Sequence, residues 1–310
     1  MSDGAMGGDL GLWTVLLAVI GGAIRVSTPF LFVSLGETIT ERSGRINLGL
    51  EGTLVFGAMS AYAIAVMTGS PWAGVAVAGL AGGAFGLLHG FICRFPGVND
   101  VAIGIALMLF GSGLAFFLGK PFIQPSAPPL PAIPFGFWSD LPQVQAALRV
   151  NVLFLAGAAL AVFLWWAFRN TKAGLVVRVV GDSADAARAM GYDVDRVRLY
   201  ATGAGGVLAG IGGAYLSLYY PGSWNEGISS GQGLMAVALV IFARWNPLAC
   251  FGAALMFGGA GALGPALQSV GVTHGYYLFY AAPYVLTLIL LVATSSPDRA
   301  LAGAPGELAK

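Results

Sequence analysis

The chain has 310 residues, of which 57% are hydrophobic and only 9% are charged, and its formal net charge is +1. A soluble domain carries roughly 25% charged residues, so the composition excludes an ordinary soluble protein and indicates a multi-pass membrane protein. The near-neutral charge gives no sign of nucleic-acid binding. The cysteines, Cys93 and Cys250, lie in apolar stretches without metal-ligand spacing, so we expect neither a disulfide framework nor a metal site.

Apolar stretches recur along the chain at lengths that approach a membrane crossing. We predict an all-α polytopic fold, a single transmembrane domain over 1–310 with about eight or nine helices, because a spanning helix needs about 20 mostly apolar residues. The seventh segment is short, so it either begins near Ser229 and spans or is re-entrant. The candidate segments are 12–35, 50–67, 72–92, 101–118, 150–168, 199–219, 234–242, 248–270 and 277–294.

The distribution of basic residues predicts the orientation, because lysine and arginine favour the cytoplasmic side. When nine crossings alternate, the charged stretch 169–198 falls on the same side as Arg42, Arg45 and Arg244. We therefore expect an inner (plasma) membrane protein with its N-terminus outside and its C-terminus in the cytoplasm. The proline-rich loop 120–148 is then outside. It is either a passive linker or a loop that covers the mouth of the protein or contacts an outside partner.

Two glycine-rich polar breaks interrupt the apolar pattern, at 41–52 and within 222–244. Glycines permit a broken or re-entrant helix whose freed backbone groups line a cavity, and polar groups near the membrane usually face such a path. We predict broken or re-entrant segments here. The alternative is that both breaks are ordinary loops at opposite membrane faces. The residues predicted to line a substrate path are Asn47, Glu51, Glu226 and Gln232.

The stretch 169–198 is the one long run with the charge density of a soluble protein. It predicts a short helix over 184–190, because Asp182 or Ser183 can cap the N-terminus and Gly191 favours the C-terminal turn. A helix this short is marginal alone in water. It must therefore pack on a surface, either on the inner face of its own chain or on another subunit.

Three segments in order along the chain resemble permeases of ABC importers, in the branch that serves ribose-type sugars, branched-chain amino acids and nucleosides. ERSGRINLGLEG at 41–52 is similar to the segment before the second helix of the nucleoside-type, basic-membrane-protein-associated permeases. TKAGLVVRVVG followed by AARAMG, within 171–191, resembles the cytoplasmic coupling loop. GSWNEG, GQG and IFARWNP, within 222–247, resemble the corresponding later segment.

The resemblance implies a permease subunit of an ATP-driven importer for a small polar solute, with nucleosides favoured. Its implied partners are a cytoplasmic ATP-binding subunit, a second homologous permease and an extracytoplasmic binding protein. The chain itself is then no enzyme and binds no cofactor, and ATP is used by the partner. The absence of a G-x-x-x-x-G-K-[ST] motif agrees. The residues that the resemblance assigns to coupling are Arg178, Gly181, Asp182, Ser183, Ala186, Ala187, Met190 and Gly191.

Three alternatives are weighed against this interpretation. The first is a permease for simple sugars of the ribose type. The second is a stand-alone, ion-coupled secondary transporter, which would need ionisable groups at mid-membrane. Only Arg25 and His89 lie clearly inside predicted spans, and no carboxylate does. The third, an ion channel, would need a selectivity filter, and no filter-like run is present.

Overall fold

The computed structural model describes residues 3–123, 125–269, 281–294 and 303–309. Single 3-10 turns occur at Lys120–Phe122 and Gly306–Ala309, and the strands β1 (Ala132–Pro134) and β2 (Arg149–Asn151) pair antiparallel. The helices in these ranges are α1 (Asp3–Arg42), α2 (Leu50–Thr68), α3 (Pro71–Ile92), α4 (Asp100–Gly119), α5 (Pro142–Ala147), α6 (Val152–Asn170), α7 (Lys172–Asp182), α8 (Ala184–Ala189), α9 (Val194–Leu218), α10 (Gln232–Phe242), α11 (Pro247–Ser269) and α12 (Ala282–Thr294).

Seven of the described helices are long and apolar enough to cross a membrane: α1, α2, α3, α4, α6, α9 and α11. This confirms the predicted all-α polytopic fold. Helix α10 has only 11 residues, and α12 has 13. The predicted start of the last segment, at 277, lies outside the described residues.

Helix α1 is longer than the apolar stretch that predicted it. The prediction ended at 35, whereas the helix continues to Arg42 and includes Glu37 and Glu41. Both carboxylates are buried, in the last turns of α1 beyond the predicted span. The reason is that both face protein: the backbone N–H of Asn47 donates to Glu37 Oε1 at 2.8 Å, and the indole N–H of Trp245 donates to Glu41.

Helix α9 packs against α2 and α3 with their backbones almost in contact. A Cβ atom added at Gly206 would overlap the carbonyl oxygen of Gly82 in α3, and one added at Gly213 would overlap the carbonyl oxygen of Leu54 in α2. Small residues allow this approach, which gives helices in lipid their van der Waals contact. The high glycine content therefore serves the packing of these three helices.

The proline-rich loop 120–148 lies against the end of α9 and the last part of α2, and its helix α5 packs on α1 beside Gly21. The N–H of Leu130 donates to the carbonyl of Leu218 at 2.9 Å, and the Tyr62 hydroxyl donates to the carbonyl of Pro125 at 2.9 Å. The loop also contains β1 and α5, which its prolines permit because Pro142 occupies the first turn of α5. Its role as a passive linker, as a cover over the mouth of the protein or as a contact for an outside partner stays a prediction.

The opposite end of the bundle carries α7, α8 and the segment 303–309. Arg42 donates from Nε and Nη2 to the carbonyl of Trp245, and Arg198 pairs with Glu307 at 3.1 Å. The predicted gathering of basic residues at one end is therefore visible in the fold.

Candidate functional site

Glu51 brings the two predicted polar breaks together. Its Oε1 accepts hydrogen bonds from the Ser229 hydroxyl at 2.6 Å and from the Gly231 N–H at 3.0 Å. Its Oε2 accepts from the Gly233 N–H at 2.6 Å. The Glu51 residue is only 8% exposed. One buried carboxylate thus satisfies three donors of a segment that lies about 180 positions further along the chain.

These contacts place the carboxylate at the N-terminus of α10. The first N–H groups of a helix lack partners within the helix and carry partial positive charge. The preceding residue, Gly231, has no side chain that could cap them. Gly231 has a φ of +81°, which glycine adopts without strain. A Cβ atom at Gly233 would lie 2.6 Å from Glu51 Oε2. Both glycines are therefore needed for the approach.

Helix α10 completes a broken crossing. Leu218, at the end of α9, contacts the proline-rich loop, whereas Trp245, just after α10, contacts Arg42 at the opposite end. Between these points the chain passes through the irregular segment 219–231 and then through α10. The stretch 229–243, left open between a spanning and a re-entrant segment, runs as α10 toward the end that holds Trp245.

The four residues predicted to line a path fall into two pairs. Asn47 and Glu51 are buried and bonded to their own chain, since Asn47 Oδ1 accepts from the Gly49 N–H at 2.9 Å. Glu226 is exposed in the segment 219–231. Gln232 is half-buried, and its Oε1 is buried without a hydrogen-bond partner in the described parts of the chain. Among the described residues, the fold therefore gives Gln232 Oε1 no hydrogen-bond partner and leaves the Glu226 side chain exposed.

Arg25 and His89, the ionisable residues predicted inside spans, both contact backbone carbonyls. Arg25 Nη1 donates to the carbonyl of Ala146 at 3.2 Å, and His89 Nε2 lies 3.3 Å from the carbonyl oxygen of Asp100. Both interactions are structural. Within the described ranges, no group of histidine, cysteine, aspartate or glutamate side chains is arranged to hold a metal ion.

The predicted coupling segment forms two helices instead of one. Helix α8 begins as predicted, because the Ser183 side chain accepts from the Ala186 N–H, and Gly191 follows with a φ of +86°. The preceding α7 was not predicted. Its N-cap is Thr171, whose Oγ1 accepts from the Gly174 N–H at 3.0 Å. The sequence of α7 did not predict a helix, because it is rich in valine, which is a weak helix former.

The eight residues predicted for coupling face different surroundings. Ala187 is fully buried against Val180, Ala184 and Val194. Gly181 packs against the backbone of Arg42, so it holds α7 to α1. Arg178 and Ser183 are half-buried. The exposed members of the set are Asp182, Ala186, Met190 and Gly191.

Glu307 belongs to this region and was missed by the sequence analysis. Its Oε1 accepts from the Ala184 N–H at 3.1 Å, at the start of α8, and its Oε2 accepts from Arg198 Nη2 at 3.1 Å. Arg198 also donates from Nε to the carbonyl of Ser43 at 3.1 Å. These partners lie more than 100 positions apart in sequence, so no local pattern signals them.

Comparison with known proteins identifies relatives over most of the length of the chain. A protein of Haloferax volcanii named "Putative glucose ABC transporter permease protein TsgC13" is 34% identical over 259 residues, 82% of this chain and 79% of its own length. The nucleoside ABC transporter permease protein NupC of Lactococcus lactis is 28% identical over 293 residues, 89% of this chain and 92% of its own. The guanosine ABC transporter permease protein NupQ of Bacillus subtilis is 28% identical over 304 residues, with the same coverage. No solved structure matches the chain.

A family model described as branched-chain amino acid transport system / permease component matches residues 18–294. The three segments that carry the resemblance, at 41–52, 171–191 and 222–247, all fall inside that match. The chain therefore belongs to this family, and it is a multi-pass membrane permease of the ABC transporter type.

Proposed function

We propose that the chain is the membrane-spanning subunit of an ATP-driven nucleoside importer, which receives its substrate from an extracytoplasmic binding protein. The observation that carries the substrate class is the match to two permeases named for nucleosides and guanosine over 92% of their lengths. A simple sugar is the second candidate, because the relative named for glucose is 34% identical.

The substrate path would follow the broken crossing. Gln232, at the first turn of α10, has a buried amide oxygen without a partner among the described residues, and Glu226 presents an exposed carboxylate in the segment that leads to α10. Amide and carboxylate oxygens accept hydrogen bonds from ribose hydroxyls and from the amino groups of bases. Glu51 would position this segment, since it accepts hydrogen bonds from Ser229, Gly231 and Gly233. Asn47 would fix the turn before α2, since its N–H donates to Glu37.

Coupling to ATP hydrolysis would use the exposed surface of α8. Met190 is 56% exposed at the C-terminus of α8, and Ala186 is exposed beside it. An exposed apolar patch of this kind fits a groove on a cytoplasmic ATP-binding subunit. In this proposal the chain pairs with a second homologous permease, has its N-terminus outside and its C-terminus inside, and leaves ATP binding to its partner.

Uptake assays test the substrate. Cells that express the chain with its ATP-binding subunit and binding protein would be supplied with labelled guanosine, uridine or glucose. We expect nucleoside uptake, and we expect Gln232→Ala to raise the KM for nucleosides about fivefold, the effect of losing one neutral hydrogen bond of about 1 kcal/mol. Asn170→Ala, an exposed amide at the far end of α6, is the matched control. Uptake of glucose without nucleoside uptake would support the second candidate instead.

A separate variant tests coupling. Met190→Asp places a charge on the exposed patch, so we expect ATP-dependent uptake to fall at least about tenfold, the equivalent of 1.4 kcal/mol, while the melting temperature stays unchanged. Met190→Leu keeps an apolar side chain and should retain uptake. Ala187 is unsuitable for this purpose, because a charge at a fully buried position tests folding. Normal uptake by Met190→Asp would refute the docking role of α8.

A further inference from the structure

A cavity of about 520 Å³ opens at the end of the bundle that carries α7 and α8. Its walls are the ends of α1 and α6, part of α7, and the turn that follows α10. Four arginines line it: Arg42, Arg169, Arg178 and Arg244. Among the described residues that line the cavity, none is acidic. Asp182 interacts electrostatically with Arg42 from nearby, and Glu41 accepts a hydrogen bond from the indole of Trp245 in the cavity wall. Among the described residues the arginines therefore outnumber the carboxylates beside them.

The arginines are held in place but keep unused donors. Arg42 bonds the carbonyl of Trp245 through Nε and Nη2. The guanidinium of Arg169 lies over the ring of Trp165, 4.6 Å from its centroid. Arg178 Nε is buried and has no hydrogen-bond partner within the described ranges. A buried donor without a partner is costly, so this arrangement favours binding of an anionic acceptor.

The position of the cavity favours a phosphate at the membrane surface. Arginine matches the geometry of phosphate oxygens with paired N–H groups. Arg169 occupies the last turn of the spanning helix α6. Trp165 and Phe168 from the same turn line the cavity, and aromatic residues gather where a membrane helix meets the headgroups. The cavity is therefore expected at headgroup depth, with basic groups inside and aromatic rings at its wall.

We propose that this cavity binds the phosphate group of an anionic phospholipid from the leaflet that faces α7 and α8. The bound headgroup contacts α1, α6, α7 and the turn after α10 together, and it neutralises the arginines that these elements bring close to one another. Free phosphate has the same chemistry, so the experiment must separate the two sources.

Lipid retention by the purified full-length chain tests this proposal. The protein is reconstituted with phosphatidylcholine and increasing phosphatidylglycerol, and bound phosphatidylglycerol is counted by native mass spectrometry. Arg169→Gln combined with Arg178→Gln should weaken retention about 25-fold, because each arginine near an anionic lipid contributes a factor of about five. The control, Arg188→Gln with Arg196→Gln, removes equal charge from two exposed arginines of the same end. It should change retention less than about twofold, because exposed pairs contribute little.

A single variant and a competition with inorganic phosphate separate lipid binding from misfolding and from binding of free phosphate. Arg169→Gln alone, at an exposed position, should weaken retention about fivefold even if the double variant fails to fold. Inorganic phosphate, titrated against bound phosphatidylglycerol, should displace it poorly. Equal retention by wild type and Arg169→Gln would overturn the proposal. The proposal would also be overturned if inorganic phosphate bound but no lipid was retained. It would be overturned as well if the variant retained lipid normally but no longer co-purified with the ATP-binding subunit.

Discussion

Replacement of Glu51 by glutamine tests whether one carboxylate holds α10 in place. The substitution keeps the shape of the side chain but removes its charge and one of its two acceptor oxygens. If the remaining oxygen accepts from Ser229 and Gly231, the new NH₂ group faces the Gly233 N–H, so two donors oppose each other in a buried site.

The expected loss of stability follows from these contacts. A hydrogen bond to a charged group contributes about 1.5–3 kcal/mol, and one between neutral groups about 0.5–1.5 kcal/mol. The lost bond costs about 2 kcal/mol and each of the two neutral bonds is weaker by about 1 kcal/mol, so we expect the free energy of unfolding to fall by about 4 kcal/mol. This chain is longer than the 150–250 residues for which 1 kcal/mol shifts the melting temperature by about 2–4 °C, so with about 2 °C per kcal/mol the melting temperature should fall by about 8 °C.

Thermal unfolding in detergent, followed by tryptophan fluorescence, measures this change. Trp224 precedes α10 and Trp245 follows it, and both are buried, so the signal reports on the affected region. Glu226→Gln is the matched control, because it makes the same chemical change at an exposed position in the same segment. If Glu51→Gln and Glu226→Gln both melted within about 2 °C of the wild type, well below the expected shift, the charge of Glu51 would not stabilise α10, and our reasoning would be wrong.

Two further predictions concern the bundle. Trp245→Phe keeps an aromatic ring but removes the N–H that donates to buried Glu41; chemical unfolding should show a loss of about 1–3 kcal/mol, and an unchanged midpoint would contradict the structural role of this bond. Gly206→Ala places a Cβ atom against the carbonyl of Gly82 and should lower stability by about 1–3 kcal/mol. Its control, Gly113→Ala on an open surface of α4, should be neutral or stabilising by up to about 1 kcal/mol; equal melting temperatures for the two alanine variants would show that the close contact is unimportant.

The start of α8 could be predicted because its determinants are local. Ser183 bonds an N–H three positions ahead, and Gly191 ends the helix by its own backbone conformation. Both effects depend on residues within one or two turns, so they are readable from a single sequence. The two glycine-rich breaks were likewise visible as departures from an apolar pattern.

The chemistry of Glu51 could not be predicted in the same way. The sequence marks it as a polar group near the membrane, which suggested a place in a substrate path. Its partners, Ser229 to Gly233, lie about 180 positions away, and only the fold shows that it caps α10. The predicted end of α1 was wrong for a related reason. A hydropathy window cannot distinguish a glutamate that would face lipid from Glu37, which is buried by protein.

The close packing of α9 has a mechanical consequence. Glycines on two of its sides bring its backbone against those of α2 and α3, so α9 cannot slide or rotate alone without steric overlap, and the three helices should move as one rigid block. One end of α9 follows α8 directly, and the other leads into the segment 219–231, 25 helical residues later. A displacement applied at α8 would therefore arrive about 37 Å away as a translation of the same size, at the start of the segment that contains Glu226 and leads to Gln232.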